Sequence, residues 1–368
     1  MKTDPKQTLY GMSVQELQEA VKAIGLPAFR GVQLGDWIYK KNVLEWTEIK
    51  NFSKADIEKL AANYDLRSLD GSEASFSKGL ESTKGLFKAR DGHFLESVLI
   101  SQRDRQTVCL STQMGCKMAC SFCASGKAKF LRNLTAGEIV EQVAWIQRKT
   151  EKRISNIVFM GMGEPLDNFD ATMKAIEILI ADWGFQLGGR RVTVSTSGIT
   201  PKIIEFVERV DGRVRLSVSL HSSKPDVRDE LMPINRRYNI DNLIQTLTEV
   251  HSKLKREITF EYTLIENIND SEEEARGVVK ISLPLNAKVN LIPYNPIREM
   301  AAVYKTPSKE RIERFTKILM DAGIHVTLRK TAGREIDAAC GQLRLDREAV
   351  SAAGEPRTKN HEPREPAS

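Results

Sequence analysis

Hydrophobic and polar positions follow two different patterns along the chain. From residue 12 to about 68, apolar residues recur at helical spacing between helix-start and helix-stop signals. Ser13 and Glu16 form a capping box that opens the first predicted helix, which ends near Ala23. We expect a second helix over 32–42 and a third that opens at Ser53. This part of the chain therefore predicts a small helical domain.

After residue 105, short β-rich runs alternate with longer helical segments. Six strand–helix units of this kind predict an α/β fold with a parallel sheet, and six are too few for a full eight-stranded barrel. A partial (βα)6 barrel fits the count. The predicted strands are Thr107–Ser111, Asn156–Met160, Arg191–Ser195, Arg215–Leu220, Ile258–Leu264 and Lys288–Ile292. The predicted helices are 136–149, 169–182, 201–209, 239–254, 272–281 and 308–322, followed by a strand over 324–329.

These patterns divide the chain into four predicted parts. The last part has no apolar period and is rich in Ala, Gly, Pro, Glu and Arg, which predicts disorder. The parts are a helical accessory domain (1–75), an extended connecting segment (76–105), the partial barrel with a C-terminal cysteine loop (106–346) and a disordered tail (347–368).

Two predicted strands carry a small polar face. Thr193, Ser195 and Ser197 alternate with valines, and Ser217 to His221 repeat the pattern. A filled barrel interior would prefer Val, Ile and Leu, so small polar side chains leave room for a polar cofactor. The alternative is the solvent-facing side of an antiparallel sheet. The alternating helices favour the cofactor interpretation.

Composition narrows the partners and the compartment. The chain has 368 residues and a net charge of +6, which permits an anionic partner without requiring one. No apolar run approaches a membrane span, and no signal core follows the N-terminus. Free thiols need a reducing compartment, so we expect a cytoplasmic protein. Basic groups that could meet the phosphate groups of an anionic partner are Lys127, Lys129, Arg132, Arg236 and Arg237.

The most specific chemical signal is C-K-M-A-C-S-F-C, which places Cys116, Cys120 and Cys123 on one short loop. Three thiolates at this spacing can hold three irons of a [4Fe–4S] cluster and leave the fourth iron open. A zinc site is the alternative, but structural zinc takes four ligands and no second cysteine pair is present. This triad resembles the signature of radical S-adenosylmethionine (SAM) enzymes, in which SAM binds the open iron.

Other candidate residues lie where predicted strands end, which is the catalytic end of a parallel barrel. Gly161-Met-Gly-Glu-Pro165 follows the second strand, and it resembles the superfamily element that contacts the amino end of SAM. We expected its glycines to let the backbone approach a ligand. Any one of these residues could have a purely structural role. Their shared position at the strand ends favours a binding site. The predicted cofactor-binding residues are Gly163, Glu164, Ser195, Ser219, Leu220, His221 and Asn295.

Two further cysteines lie outside the triad. Cys109 is in the strand that leads to it, and Cys340 lies far along the chain in D-A-A-C-G-Q-L. Either could be a buried small hydrophobic residue. However, the polar surroundings of Cys340 and the neighbouring Gly341 suggest a tight loop. A reactive cysteine there could be a radical carrier, a nucleophile or a cluster ligand.

Several motifs in order make the resemblance more specific. From about residue 10 to 345, the chain resembles the radical SAM adenosine-C2 RNA methyltransferases, whose fold is a partial TIM-like barrel. The motifs that carry this resemblance are Q-M-G-C-K-M-A-C-S-F-C-A-S-G, F-M-G-M-G-E-P-L, V-S-T-S-G, S-L-H, E-L-M-P-I-N, N-L-I-P-Y-N-P and D-A-A-C-G-Q-L.

The resemblance implies a mechanism with two SAM molecules per turnover. Cys340 would take a methyl group from the first SAM, and the second SAM would supply the radical that activates this group for addition to C2. Glu96 would accept the proton. Cys109 would then attack Cys340, which releases the methylated RNA and leaves a disulfide between the two cysteines.

The resemblance also implies partners. These are 23S rRNA at the peptidyl-transferase centre, tRNA 3′ of the anticodon, and an external flavodoxin-like electron donor, with the protein as a monomer. Three alternatives are a related enzyme that methylates C8 of adenosine, a radical SAM activase or lyase, and an RNA-binding module without catalysis. Pro165 after Glu164 favours the C2 group over the C8 group.

Overall fold

The computed structural model describes residues 6–79, 81–102, 104–297, 300–329 and 341–343. The predicted tail and Cys340 lie outside these residues. In the described part of the chain, no helix combines the length and the apolar character needed to cross a membrane.

The N-terminal region is helical, as predicted. Its first helix begins with the expected capping box, in which the Glu16 N–H donates to Ser13 Oγ (3.2 Å) and the Ser13 N–H donates to Glu16 Oε2 (2.6 Å). The second helix begins three residues earlier than predicted and ends in a π turn. The elements are α1 (Val14–Ala23), α2 (Phe29–Gly35), the π turn (Asp36–Lys40), a 3-10 turn (Trp46–Glu48) and α3 (Lys54–Asn63).

A ten-stranded sheet forms the rest of the fold, in the order β1-β2-β3-β4-β7-β8-β9-β10-β11-β12. The strands from β4 to β12 in this order are parallel, with helices between them, and they confirm the predicted partial barrel. The parallel strands are β4 (Arg105–Cys109), β7 (Asn156–Phe159), β8 (Val192–Thr196), β9 (Arg215–Ser219), β10 (Thr259–Leu264), β11 (Lys288–Pro293) and β12 (Val326–Leu328).

The helices of the barrel agree with the helical pattern of the sequence to within a few residues, except for two short ones that carried too few apolar positions to predict. These two are α4 (Ala124–Lys127) and α8 (Pro225–Leu231). The others are α5 (Ala136–Thr150), α6 (Phe169–Ile180), α7 (Thr200–Arg209), α9 (Ile240–His251), α10 (Glu272–Ser282) and α11 (Lys309–Asp321). A separate two-stranded sheet joins β5 (Gln113–Met114) and β6 (Arg132–Asn133).

The segment that was expected to be an extended connection extends the sheet. β1 (Leu69–Lys78), β2 (Ser82–Ala89) and β3 (Phe94–Gln102) pair antiparallel with one another, and β3 pairs with β4. This pairing satisfies the backbone hydrogen bonds of the β4 edge, which a loose connection would leave to water. The domain limits proposed at residues 75 and 105 stay predictions.

The helical region is fixed to the barrel by a close backbone contact. Gly11 lies against Gly137 at the start of α5, and a Cβ on Gly137 would come within 2.4 Å of the Tyr10 carbonyl oxygen. Nearby, the buried Glu141 carboxylate accepts from the backbone N–H groups of Ser68 (2.5 Å) and Leu69 (3.0 Å). One hydrophobic core includes residues of both regions, so the helical region is continuous with the barrel.

We expect Gly137→Ala to lower the free energy of unfolding by about 1–3 kcal/mol, because the added methyl group overlaps the Tyr10 carbonyl and Ser68 Oγ. This loss would oppose the usual gain from alanine in a helix. Urea unfolding of the apoprotein measures it. Gly188→Ala is the control, since a Cβ there meets no atom within 4 Å. Equal stability of the two variants would contradict the proposed contact.

Candidate active site

A cavity of about 160 Å³ lies at the carboxyl ends of the parallel strands. It brings together the cysteine triad, the glycine motif and the polar strand ends, as the sequence predicted. Its lining includes Cys116, Cys120, Cys123, Gly161, Gly163, Glu164, Ser195, Ser219, His221 and Asn295.

The three thiols lie on the loop between β5 and α4, and Cys123 is the N-cap residue of α4. Gly126 keeps the loop compact, because a Cβ there would come within 2.7 Å of the Cys120 carbonyl oxygen. Burial raises the pKa of the Cys116 thiol to about 12 and raises the pKa of Cys120 as well. Three thiolates in this position therefore need a cationic centre to stabilise them.

The donor set fits an iron–sulfur cubane. Among the described residues, no three Cys, His, Asp or Glu side chains converge as ligands of one metal ion would. A cubane does not require this convergence, because each thiolate binds a different iron. Cys116, Cys120 and Cys123 border one cavity and can each face a separate corner of a cluster.

The glycines of the G-M-G-E-P motif border the cavity and also have a packing role that the sequence did not reveal. A Cβ on Gly161 would lie 2.6 Å from the Leu110 carbonyl oxygen, and a Cβ on Gly163 would lie 2.5 Å from Gln113 Cβ. Gly163 also has φ +99°, a conformation that other residues rarely adopt. These glycines therefore allow the motif to pass close to the loop after β4, and the expectation that they let the backbone approach a ligand stays a prediction.

Glu164 is 3% exposed and borders the cavity. Its carboxylate accepts hydrogen bonds from the backbone N–H groups of Ser197 (2.7 Å) and Leu166 (3.0 Å). Burial raises the pKa of this carboxyl group, and the two N–H donors oppose the rise. Glu164 thus links the ends of β7 and β8 at the cavity wall.

His221 is held as a neutral imidazole. Its Nδ1 accepts from the Thr263 N–H (2.9 Å), and its ring packs edge-on against Phe122 with centroids 4.7 Å apart. Burial lowers the pKa of His221 to about 3. With Nδ1 accepting, the proton of the neutral ring is on Nε2, which leaves Nε2–H as a hydrogen-bond donor.

Leu220 differs from the other predicted cofactor-binding residues. Its side chain is fully buried in the core. Its N–H donates to the Glu261 carbonyl (3.0 Å), and its carbonyl accepts from Arg228 Nε (3.1 Å). Leu220 therefore supports the wall of the cavity and does not border it.

Cys109 and the residue after Cys340 approach the same region. Cys109 is buried with Val98, Met162 and Leu343. Gly341 accepts a hydrogen bond from the Ala124 N–H (2.8 Å), and the Leu343 carbonyl accepts from Ser125 Oγ (3.0 Å). Residues 341–343 thus contact both the cysteine loop and the Cys109 cluster. Cys340 itself lies outside the described residues.

Glu96 lies on the same face of β3 as Val98, the residue that pairs with Cys109. Its carboxylate forms a salt bridge with Lys84 Nζ (3.0 Å), and the two side chains are only 1% and 5% exposed. The sequence interpretation missed Lys84. One sign of this residue was present in the sequence, a lysine within a strand. The pairing of β2 with β3, which brings Lys84 to Glu96, cannot be read from the sequence.

A larger cavity of about 770 Å³ extends from Cys109 towards the amino ends of the strands. Thr193 of β8 and Ser217 of β9 border it, so the small polar face of these strands points to a cavity. Because these strands are parallel, the alternative of a solvent-facing antiparallel sheet is excluded.

The predicted basic residues fall into two groups. Arg132 is held by Asp91 and by both oxygens of Glu138 (2.8 Å each), so the prediction that it meets phosphates is not supported. The other four are exposed and form no salt bridge with another described residue. They are Lys127, Lys129, Arg236 and Arg237.

Comparisons with known proteins agree with this geometry. A model of the radical SAM superfamily matches residues 110–277, and one described as a ribosomal RNA large subunit methyltransferase N-terminal domain matches residues 7–65. A probable dual-specificity RNA methyltransferase RlmN of Clostridium botulinum is 42% identical over 90% of this chain and 94% of its own length. The homologue of the same name in Spiroplasma citri is 42% identical over 93% of this chain and 99% of its own.

A solved structure shows the same fold. A radical SAM methyltransferase from Sphaerobacter thermophilus superposes with a TM-score of 0.86 at 41% identity. The alignment covers 92% of this chain and all of that one.

We expect Cys116→Ala, Cys120→Ala and Cys123→Ala each to abolish stable cluster binding, because each removes the ligand of one iron. Cys109→Ala is the matched control and should retain about four irons per chain after anaerobic reconstitution. Iron analysis and the visible absorption spectrum measure the outcome. Loss of the cluster from Cys109→Ala would identify Cys109 as a ligand and contradict its separate role.

Proposed function

The chain belongs to the family of dual-specificity RNA methyltransferases named RlmN, and we propose that it methylates C2 of one adenosine in 23S rRNA and of one in tRNA. The observation that carries this proposal is the placement of residues 341–343, which contact the cysteine loop on one side and the Cys109 cluster on the other. A cysteine directly before Gly341 would lie between a cofactor and a second thiol.

The cofactor site follows from the cavity lining. Cys116, Cys120 and Cys123 would hold the cluster, and SAM would bind at the open iron. Glu164, Ser195, Ser219, His221 and Asn295 surround this space. The bound cluster supplies the electron for reductive cleavage of SAM, a reaction that no side chain performs. An external donor of the flavodoxin type would supply that electron.

Cys340 is proposed to carry the methyl group as a thioether. C2 of adenine is an electron-poor carbon and does not attack the methyl group of SAM directly. The methyl carbon of this thioether would give up a hydrogen atom to the radical derived from the second SAM and then become bonded to C2. Loss of the C2 proton and of one electron, which would return to the cluster, restores the aromatic ring. The thioether then joins the protein to RNA, and a second thiol must break this link. Cys109 attacks the Cys340 sulfur, the S–C bond breaks, and an S–S bond forms. The released carbon takes up a proton, and an external thiol reductant restores both cysteines.

Glu96 is proposed to accept the proton that leaves C2. Lys84 supports this role, because a buried ammonium 3.0 Å from the carboxylate favours the ionised form that can accept a proton. The same ion pair fixes the carboxylate on the face of β3 that continues towards Cys109. Lys84 is therefore a positioning residue in this proposal.

RNA binding is proposed to involve the exposed basic residues near the cysteine loop. Lys127 and Lys129 follow the triad directly, and Arg236 and Arg237 follow α8. Their charges suit phosphate groups of an RNA segment that enters at this end of the barrel. We further propose that the protein acts as a monomer in the cytoplasm, where a cluster and free thiols persist.

We expect 2-methyladenosine to disappear from both 23S rRNA and tRNA when the gene is deleted and to return with the wild-type chain. Nucleoside mass spectrometry with synthetic C2- and C8-methyl standards measures this change. A Cys340→Ala chain, which lacks the proposed methyl carrier, is the control and should restore neither. Recovery of 8-methyladenosine in place of the C2 product would overturn the proposed regiochemistry.

We expect Cys109→Ala to remain covalently joined to RNA, because the link between Cys340 and C2 then has no thiol to break it. After denaturation and nuclease digestion, peptide mass spectrometry should find a nucleotide on Cys340. The double variant Cys109→Ala/Cys340→Ala should carry none. Normal turnover by Cys109→Ala would mean that Cys109 is only a packing residue.

A further inference from the structure

Arg228 is a fully buried arginine behind the wall of the candidate cofactor cavity. It lies on α8, and four of its hydrogen bonds are well defined. Its Nε donates to the Leu220 carbonyl (3.1 Å), and its Nη2 donates to the carbonyls of Ser197 (3.0 Å) and Ser219 (3.1 Å). Its Nη1 donates to Asn235 Oδ1 (2.6 Å). The guanidinium therefore joins the ends of β8 and β9 to α8.

None of these contacts is an ion pair, and the Asp229 carboxylate is linked to Arg228 only through Asn235. All four acceptors are neutral oxygens, and no carboxylate of the described residues forms a salt bridge with it. Burial lowers the pKa of Arg228 to about 10, which reflects the cost of a charge in this place. Neutral donors could satisfy carbonyl groups without that cost. A buried cation whose carboxylate neighbour interacts only through an intervening amide can stabilise a further anion nearby.

The cysteine loop is the nearest candidate for that anion. The Ser121 N–H donates to the Leu231 carbonyl (3.0 Å), which attaches the loop to the end of α8. Cys120 packs against Leu231 and Met232 in the same cluster. Ser197 and Ser219, whose carbonyls bind Arg228, border the same cavity as the three cysteines. Arg228 and the Cys120 sulfur also interact electrostatically.

We propose that Arg228 is a positioning residue that makes reduction of the cluster easier by placing a fixed positive charge behind the cysteine loop. This inference rests on the proposed cluster site. The negative charge of three thiolates exceeds the positive charge of an oxidised cubane core, so the assembled cluster is anionic. One added electron makes its net charge more negative. A fixed cation in a low-dielectric wall stabilises the reduced state more than the oxidised state. Stabilisation of the reduced cluster depends on the positive charge of Arg228, and its hydrogen bonds alone would not produce it.

The test is an anaerobic redox titration of the reconstituted protein, followed by electron paramagnetic resonance. Arg228→Gln keeps hydrogen-bonding capacity and removes the charge, so the equilibrium for one-electron reduction should fall at least tenfold. This change corresponds to a shift of about 59 mV to more negative potential. Arg228→Lys keeps the charge with fewer donors and should shift the potential much less.

Two further variants separate charge from structure. Asp229→Asn removes a negative charge that faces Arg228 while its oxygen can still accept from Asn235 Nδ2, so the potential should become slightly more positive. Arg209→Gln makes the same charge change on the exposed end of α7 and should leave the potential unchanged. Asp229→Asn also keeps the proposal testable if Arg228→Gln fails to fold.

Equal shifts in Arg228→Gln and Arg228→Lys would show that Arg228 is only a structural link. An unchanged potential in Arg228→Gln, or an unchanged or more negative potential in Asp229→Asn, would also overturn the proposal. The titration needs no RNA, so its result is independent of substrate choice. Failure of the wild-type chain to methylate RNA would overturn the proposed function and leave the potentials to be judged separately.

Discussion

The site depends on the placement of three partly buried thiols on one short loop at the carboxyl end of the sheet. Burial opposes ionisation of Cys116 and Cys120, so the loop is poorly suited to three thiolates unless irons compensate their charge. The fold meets this requirement by fixing the loop from several sides. The Ser121 N–H binds the end of α8, and Ala124 and Ser125 bind residues 341 and 343. These contacts hold the loop through protein atoms alone.

Much of this arrangement could be predicted from local patterns. Strand and helix periodicity located the six βα units, because each strand is a short apolar run and each helix has a wide apolar face. The spacing of Cys116, Cys120 and Cys123 predicted a cluster loop, since a chelating motif lies within a few residues of sequence, and the three thiols border one cavity. The polar strand ends met at one cavity because parallel strands place their carboxyl ends on the same side.

Long-range contacts could not be predicted in this way. Lys84 meets Glu96 only because β2 pairs with β3 in one register, and a strand shifted by one residue would place Lys84 on the other face. The Arg228 side chain donates hydrogen bonds to carbonyl groups at the ends of two strands that are distant in sequence. The packing role of the glycines in the G-M-G-E-P motif could not be predicted either, because the atoms that exclude a Cβ belong to the loop after β4.

The cysteine loop and the region around Cys109 are connected through residues 341–343. Ala124 and Ser125 directly follow the last cluster cysteine, and they hold Gly341 and Leu343 through hydrogen bonds of 2.8 and 3.0 Å. Leu343 in turn packs beside Cys109. Whatever fixes the cysteine loop therefore also fixes residues 341–343 relative to Cys109. Metal binding by the cysteine loop and the position of residues 341–343 are thus expected to depend on each other, since the same few hydrogen bonds serve both.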